Sequence, residues 1–199
     1  FVIKNPNGYH AICAGLKENL KITIKGHVGY YCGGMNKNAE IVIDGNAGTG
    51  LGENMMSGII HAKGNVSQSA GATAHGGTII IDGNASSRCG ISLKGANLIV
   101  KGSVGHMSAF MAQSGTLLVC GNAGEALGDS IYETVIYLAG KPKSLGVDCE
   151  EKNITKKDLI KIDELLKIGN IKNIKANKFK KYGSARKLYN FQIDNISDY

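Results

Sequence analysis

The sequence predicts an all-β protein: a right-handed parallel β-helix, a single-stranded solenoid of at least seven 19-residue coils, with a C-terminal α-helix and tail. Three observations carry this. Gly26, Gly45, Gly64, Gly83, Gly102, Gly121 and Gly140 recur every 19 residues, seven times without a slip. The residues two and four before each anchor are apolar: Ile22/Ile24, Ile41/Ile43, Ile60/Ala62, Ile79/Ile81, Leu98/Val100, Leu117/Val119 and Ile136/Leu138. Such period-two alternation marks a strand with one buried face, and one strand per repeat of about 20 residues marks a solenoid. Finally, no helical stripe fits within a repeat, 19 is not a multiple of six or nine, and Gly-Gly-x-Gly-x-Asp does not occur. Helical, leucine-rich, hexapeptide and calcium-binding nonapeptide repeats are thereby set aside. Coils stacked at the strand spacing of ~4.8 Å place seven anchors across about 29 Å. The general preference for right-handed crossovers gives the hand.

Each coil carries a corner. Three past the anchor stand Gly29, Gly48, Ser67, Ser86, Gly105 and Gly124; seven past stand Gly33, Gly52, Gly71, Gly90, Ala109 and Gly128. The corner is Gly-x-x-Gly-x-x-x-Gly, relaxed only to Ser or Ala. Small residues stacked in every coil point to close backbone approach or positive φ. Directly after the anchors come His27, Asn46, Asn65, Asn84, Ser103, Asn122 and Lys141. Asn tolerates left-handed backbone and bonds locally, so these positions suggest a stacked polar ladder or isolated Asn turns.

In chain order, residues 1–20 form an N-terminal capping coil, because Tyr9-His-Ala-Ile-Cys-Ala-Gly15-Leu16 is apolar but off the period. A terminal coil must cover the open end of a stack. The chain opens on Phe1 rather than Met, which leaves room for residues upstream. Residues 21–146 hold the β-helix. Residues 147–199 hold a helix and a basic tail. Thr155 with Asp158 resembles a capping box, Leu159, Ile162, Leu165 and Leu166 recur at helical spacing, and Gly169 ends the run. This helix is expected to lie against the end of the β-helix. The residues after 177 read as a tail dispensable for folding.

Glycine supplies 28 of 199 residues, about twice its usual share, and the period accounts for it. No run of about 18 apolar residues spans a membrane, and no signal-peptide pattern opens the chain. Residues 1–151 hold 11 Lys/Arg and 11 Asp/Glu, whereas 152–199 hold 12 and 5, so the tail carries the whole +7. Its Lys residues are interspersed with Ile and Asn without a recognition motif. A solvated or partner-facing tail fits that better than nucleic-acid binding.

Catalytic and cofactor signatures are missing. Cys13, Cys32, Cys89, Cys120 and Cys149 include no C-x-x-C, and Cys32 and Cys89 share a register three coils apart, ~14 Å, beyond disulfide reach. They read as reduced, cytoplasmic, core-filling thiols. His27, His61, His75 and His106 fall in four registers, so none stack as metal ligands. Asp44 and Asp82 share a register two coils apart. No nucleophile–base pair and no phosphate loop is legible. The expectation is no catalytic residue, no metal and no cofactor in this chain.

What remains is surface. Met55, Met56, Met111 and Tyr132 lie nine to eleven past their anchors, on one side of the stack with Phe110. A Met-rich, aromatic side suits an adaptable contact surface or core filling. In the tail, Arg186, Tyr189 and Phe191 are residue types of interface hot spots. The candidate partner interface is therefore Met55, Met56, Phe110 and Met111 on the turns, with Arg186, Tyr189 and Phe191 in the tail.

The repeat and its corners resemble the C-terminal β-helix domain of the large subunit of glutamate synthase. The C-type subunit of formylmethanofuran dehydrogenase shares that repeat. More specific stretches are Gly26-His-Val-Gly-Tyr-Tyr31, Glu53-Asn-Met-Met-Ser-Gly58, Gln68-Ser-Ala-Gly-Ala-Thr-Ala-His-Gly-Gly77, Arg88-Cys-Gly-Ile-Ser-Leu-Lys-Gly95, Gly105-His-Met-Ser-Ala-Phe-Met-Ala-Gln113, Gly124-Glu-Ala-Leu-Gly-Asp129 and Tyr182-Gly-Ser-Ala-Arg-Lys-Leu-Tyr189. They resemble the stand-alone β-helix subunit of N-methylglutamate synthase, from about residue 8 to the C-terminus. The resemblance implies a non-catalytic scaffold that braces two partners, a glutaminase-like subunit and a synthase subunit with flavin and iron–sulfur clusters. It implies no nucleic acid and no membrane, and leaves a homo-oligomer open. The alternatives are the formylmethanofuran dehydrogenase role and a polysaccharide-active β-helix enzyme. The latter needs clustered carboxylates, which the sequence lacks.

Overall fold

The structure is a computed structural model that describes residues 1–187. It is a right-handed parallel β-helix. Strands β1 (Val2–Lys4), β2 (Lys21–Lys25), β3 (Glu40–Ile43), β4 (Ile59–Ala62), β5 (Thr78–Ile81), β6 (Lys94–Val100), β7 (Ser114–Val119) and β8 (Val135–Leu138) stack in sequence order. From β2 to β8 the pairing is parallel with partners 19 residues apart, such as Ile22↔Ile41 and Leu117↔Ile136, apart from one shift where Lys94 pairs with Ser114. One-residue slippage would turn every apolar side chain outward, so the alternation pins this register. Inward residues Ile24, Ile43, Ala62, Ile81, Val100, Val119 and Leu138 are fully buried.

Beyond the anchor, a second side is a column of single bridges joining Val28, Ala47, Val66, Ala85, Val104, Ala123 and Pro142. Val and Ala alternate here, so each larger side chain sits between two small ones. A third side is a ribbon of turns. Residues five, seven and nine past each anchor have positive φ, as at Tyr31, Gly33 and Met35, or Met107, Ala109 and Met111.

Gly83 and Gly90 are glycine for different reasons. Gly83 does not have a positive φ; a Cβ there would lie 2.4 Å from Asn65 Oδ1 and 2.8 Å from the Gly64 carbonyl oxygen of the coil below. Gly90, seven past, has φ +70, and a Cβ there would meet only the Leu98 side chain, at 3.4 Å; Ala109 holds the same register at φ 59. The polar ladder is continuous. Asn46 N–H donates to His27 Nδ1, and the amides of Asn65, Asn84, Ser103, Asn122 and Lys141 each donate to the side-chain oxygen one coil below, at 2.8–3.0 Å. His27 and Ser103 therefore take the role that Asn has elsewhere.

Coil one is irregular. β1 pairs with β2 at Val2↔Thr23, a separation of 21 residues, so the ladder begins inside the stretch read as a cap. The far end is closed by β9 (Cys149–Lys152) and β10 (Lys180–Ser184): β10 runs antiparallel to β8, and β9 antiparallel to β10.

Helix α1 (Lys156–Ile168) starts as the sequence predicts, with Thr155 and Asp158 forming a reciprocal capping box. Its stop differs in mechanism. Gly169 has φ −73, while Asn170 takes the left-handed turn; Gly169 is small because a Cβ would stand 3.1 Å from Ile99. Its position also differs from the expectation. α1 lies on the flank, not the end, covering the outward residues Ile80, Ile99, Leu118 and Tyr137 with Ile162, Leu165 and Leu166. Each fully buried Leu or Ile contributes roughly 1.5–3 kcal/mol, which fixes the helix on this face. The signal was in the sequence: outward positions run Thr23, Val42, His61, then Ile80, Ile99, Leu118, Tyr137, turning wholly apolar halfway along.

Asp158 joins three elements. It accepts from Tyr137 Oη on β8 at 2.6 Å, pairs with Lys181 on β10 at 2.9 Å, and accepts the Thr155 amide at 2.8 Å. Burial raises its pKa, but these hydrogen bonds outweigh burial and hold the carboxyl well below the usual range. Tyr182 is buried in the solenoid core and Phe179 under α1. The stretch through Ser184 is thus a strap on the last coil, which corrects the reading that everything after 177 is dispensable.

Candidate partner-facing surface

The turn ribbon decides which residues of the Met-rich side are available. Positions six and ten past the anchor point inward, and positions nine and eleven outward. Met55 is ten past, and it is fully buried with Ala74, Leu93, Ala112 and Ile131 in the same register. It fills the core and offers no surface to a partner, which corrects its place among the interface residues. Met56 and Met111 are exposed, at 47% and 38%, and Phe110 is half-buried beside Met111. The face between them is small and polar: Asn54, Thr73 and Ser92 share the register of Met111, and Thr73 Oγ1 donates to Asn54 Oδ1 at 2.7 Å. Period-two reasoning could not separate these positions, because three left-handed residues per turn break the strand alternation.

Arg186 is exposed, and its guanidinium pairs with Glu133 at 2.8 Å. Tyr189 and Phe191 lie outside the described residues. The structure therefore brings Met56, Phe110 and Met111 to one ribbon and sets Arg186 near the capped end.

Chemistry-bearing groups are spent on stability. Cys32 and Cys89 stand six past their anchors with Leu51, Ala70 and Leu127, and burial pushes both thiols up to about 12. Burial likewise pushes Cys149 up to about 12 and Cys120 to about 11. Such thiols are poor nucleophiles. All five cysteines are free. Asp44 and Asp82, the stacked acids, alternate with lysines. Lys25 and Lys63 both bond Asp44 and hold it down to about 2. Lys101 at 2.7 Å and His61 at 2.9 Å flank Asp82, which they keep low against the opposing effect of burial. A glycosidase acid needs a raised pKa, so this column is a charge ladder. His10 accepts the Tyr30 amide at 2.8 Å and stacks on the Tyr30 ring. Among the described residues no three His, Cys, Asp or Glu side chains converge as a metal site. No helix among them is long and apolar enough to cross a membrane.

Fold and surface together define a glycine-cornered parallel β-helix whose core thiols are buried, whose stacked carboxylates are ion-paired and whose Met56 and Met111 face outward. Residues 9–194 match the GXGXG motif family, and the chain belongs to it. It is also similar to protein GlxC of Rhizobium meliloti (strain 1021), with 56% identity over 199 residues, covering 100% of this chain and 87% of that relative. The chain is thus a glutamate-synthase-related subunit, as its loops suggested.

Proposed function

We propose that this chain is a non-catalytic scaffold subunit of a glutamate-synthase-type assembly. It braces a glutaminase-like subunit against a synthase subunit that bears flavin and iron–sulfur clusters, and the assembly makes glutamate or N-methylglutamate. The observation that carries this reading is the extent of the match. The chain aligns over all 199 residues with a relative of which it covers 87%, and the described part of that length is the solenoid with its helix and strap. On this reading turnover falls to other chains. The rigidity of the ladder-locked coils supports a bracing role, because a solenoid holds two binding faces at fixed separation. Free thiols fit a reducing, cytoplasmic setting.

Co-expression with the genes beside this one tests the reading. The expected result is a stable complex that contains glutaminase-like and flavin-binding chains and forms glutamate or N-methylglutamate from glutamine. A chain that purifies alone in the presence of both, at micromolar concentration, contradicts it.

A further inference from the structure

A groove runs along the joint between α1 and the segment that leads back to the strap. The chain turns away from the helix at Gly169 and Asn170 and returns only at the single 3-10 turn Ala176–Lys178. Between them lies a cleft of about 460 Å³ with Leu159, Leu166, Ile171 and Ile174 as its apolar lining and Lys167 and Lys175 beside them. A second cleft, of about 320 Å³, shares Leu159 and Asn177 with the first and adds Ile154 and Phe179. The two adjoin through those shared residues, so the apolar lining continues from one into the other. Ile154, Leu159, Ile171 and Ile174 pack against the cluster that holds α1 on the sheet, yet each is only partly buried. A concave, mainly apolar lining of this volume suits the seating of apolar side chains.

Charge and backbone select the occupant. In the second cleft the lysines are engaged: Lys180 pairs with Glu151 and Lys181 with Asp158, both at 2.9 Å. In the first, Lys167 and Lys175 have no ion-pair partner among the described residues, and Asp163, the one carboxylate lining it, pairs with neither. The backbone amides of residues 172–177 donate no hydrogen bond among the described residues, so a run of N–H donors borders the same cleft. Lysine ammonium groups and free amides both seek carboxylate or carbonyl oxygens. Residues 152–187 hold 12 Lys/Arg against 3 Asp/Glu, so two copies meeting through this groove would oppose like charges. A membrane-surface helix projects its apolar side chains from a convex face, whereas these line a concave one. Single-stranded nucleic acid stacks on exposed aromatic rings, and the one ring here, Phe179, is buried. An acidic polypeptide with apolar anchors meets every requirement.

We propose that the groove between α1 and residues 171–177 docks an acidic amphipathic segment of a partner subunit, which seats apolar side chains on Leu159, Leu166, Ile171 and Ile174 and sets Asp or Glu against Lys167 and Lys175. The apolar lining supplies affinity, and the two lysines choose the partner and fix its register. The proposal rests on the subunit reading above and names a surface through which the assembly is held.

The test uses the full chain co-expressed with the glutaminase-like and flavin-binding subunits. Wild type and the Lys167→Gln/Lys175→Glu variant are compared by native mass spectrometry; Gln at 167 avoids placing an acid at the helix C-terminus. Hydrogen exchange is measured on the free and the assembled wild type. The expected results are one partner subunit lost from the variant, with affinity weakened about tenfold or more, and exchange over residues 172–177 slowed about tenfold or more on assembly. If the variant melts early, the wild-type exchange result alone decides. A folded variant that assembles at wild-type affinity, or amides 172–177 that gain no protection, overturns this proposal and leaves the subunit reading intact. No assembly of the wild type overturns both. The free chain is also mixed with phosphatidylserine vesicles and with polyuridylate. Capture by either that the variant abolishes, or a wild-type homodimer that the variant dissolves, assigns the groove to that occupant and overturns the choice of an acidic partner.

Discussion

Replacing Gly83 by Ala probes the stacking that builds the fold. The added Cβ would lie 2.4 Å from Asn65 Oδ1 and 2.8 Å from the Gly64 oxygen, and backbone cannot swing aside as a side chain does. Overpacking of this kind costs about 1–3 kcal/mol. Displacing Asn65 also strains the ladder bond it accepts from the Asn84 amide, 2.8 Å in the native protein, worth about 1 kcal/mol. The expected loss is about 2–4 kcal/mol, which lowers Tm by about 4–16 °C for a chain of this size. Val at the same site costs more, through overlap and not through φ. Gly90→Ala is the matched control: its Cβ meets only the Leu98 side chain at 3.4 Å, so it bears chiefly the left-handed strain of about 1–2 kcal/mol, and it has Ala109 as a native precedent. Thermal melts by circular dichroism compare the two. A Gly83→Ala protein that melts within about 2 °C of wild type, or above Gly90→Ala, refutes the close-approach account of the anchors.

Other outcomes follow from the strap and the buried groups. Asp158→Asn is expected to cost about 2–3 kcal/mol at neutral pH, because it weakens bonds to a charged acceptor and leaves Lys181 unpaired. The Asp158 pKa is depressed in the folded state, so its contribution is full above the unfolded value of about 4 and fades as pH falls toward the folded one. Melts from about pH 7 to about pH 2 should narrow the gap between wild type and variant, and a constant gap contradicts this. Deleting residues 177–199 removes β10, Phe179 and Tyr182 and is expected to unfold or aggregate the chain. The purified chain is expected to carry neither flavin absorbance nor stoichiometric iron or zinc, checked by absorbance and elemental analysis.

The repeat was legible because two physical periods coincide in it. Period-two alternation fixed the strands, and the 19-residue glycine period fixed their stacking. The ladder was visible as Asn46, Asn65, Asn84 and Asn122; that His27 and Ser103 continue it became evident only from the acceptor geometry. The capping box at Thr155 is local chemistry and reads directly. What the sequence hid depends on three-dimensional context. Met55 and Met56 are adjacent and chemically identical, and only left-handed turn geometry sends one inward and the other out. β10 has Lys180, Lys181 and Gly183 among its five residues, so no alternation announced a strand that the exposed edge of β8 recruits. The interface candidates were chosen by residue type. That criterion passed over Tyr31 and Met35, which the left-handed turn geometry leaves exposed on the same ribbon.

Reconstitution tests the scaffold claim most directly. The glutaminase-like and flavin-binding subunits, purified separately, are mixed with and without this chain, and both half-reactions and coupled product formation from glutamine are measured. The account predicts that each half-reaction survives in its own subunit, while coupled synthesis falls at least about tenfold when the β-helix is omitted and returns when it is added back. Coupled synthesis at the same rate without the chain, or turnover by the chain alone, would contradict it.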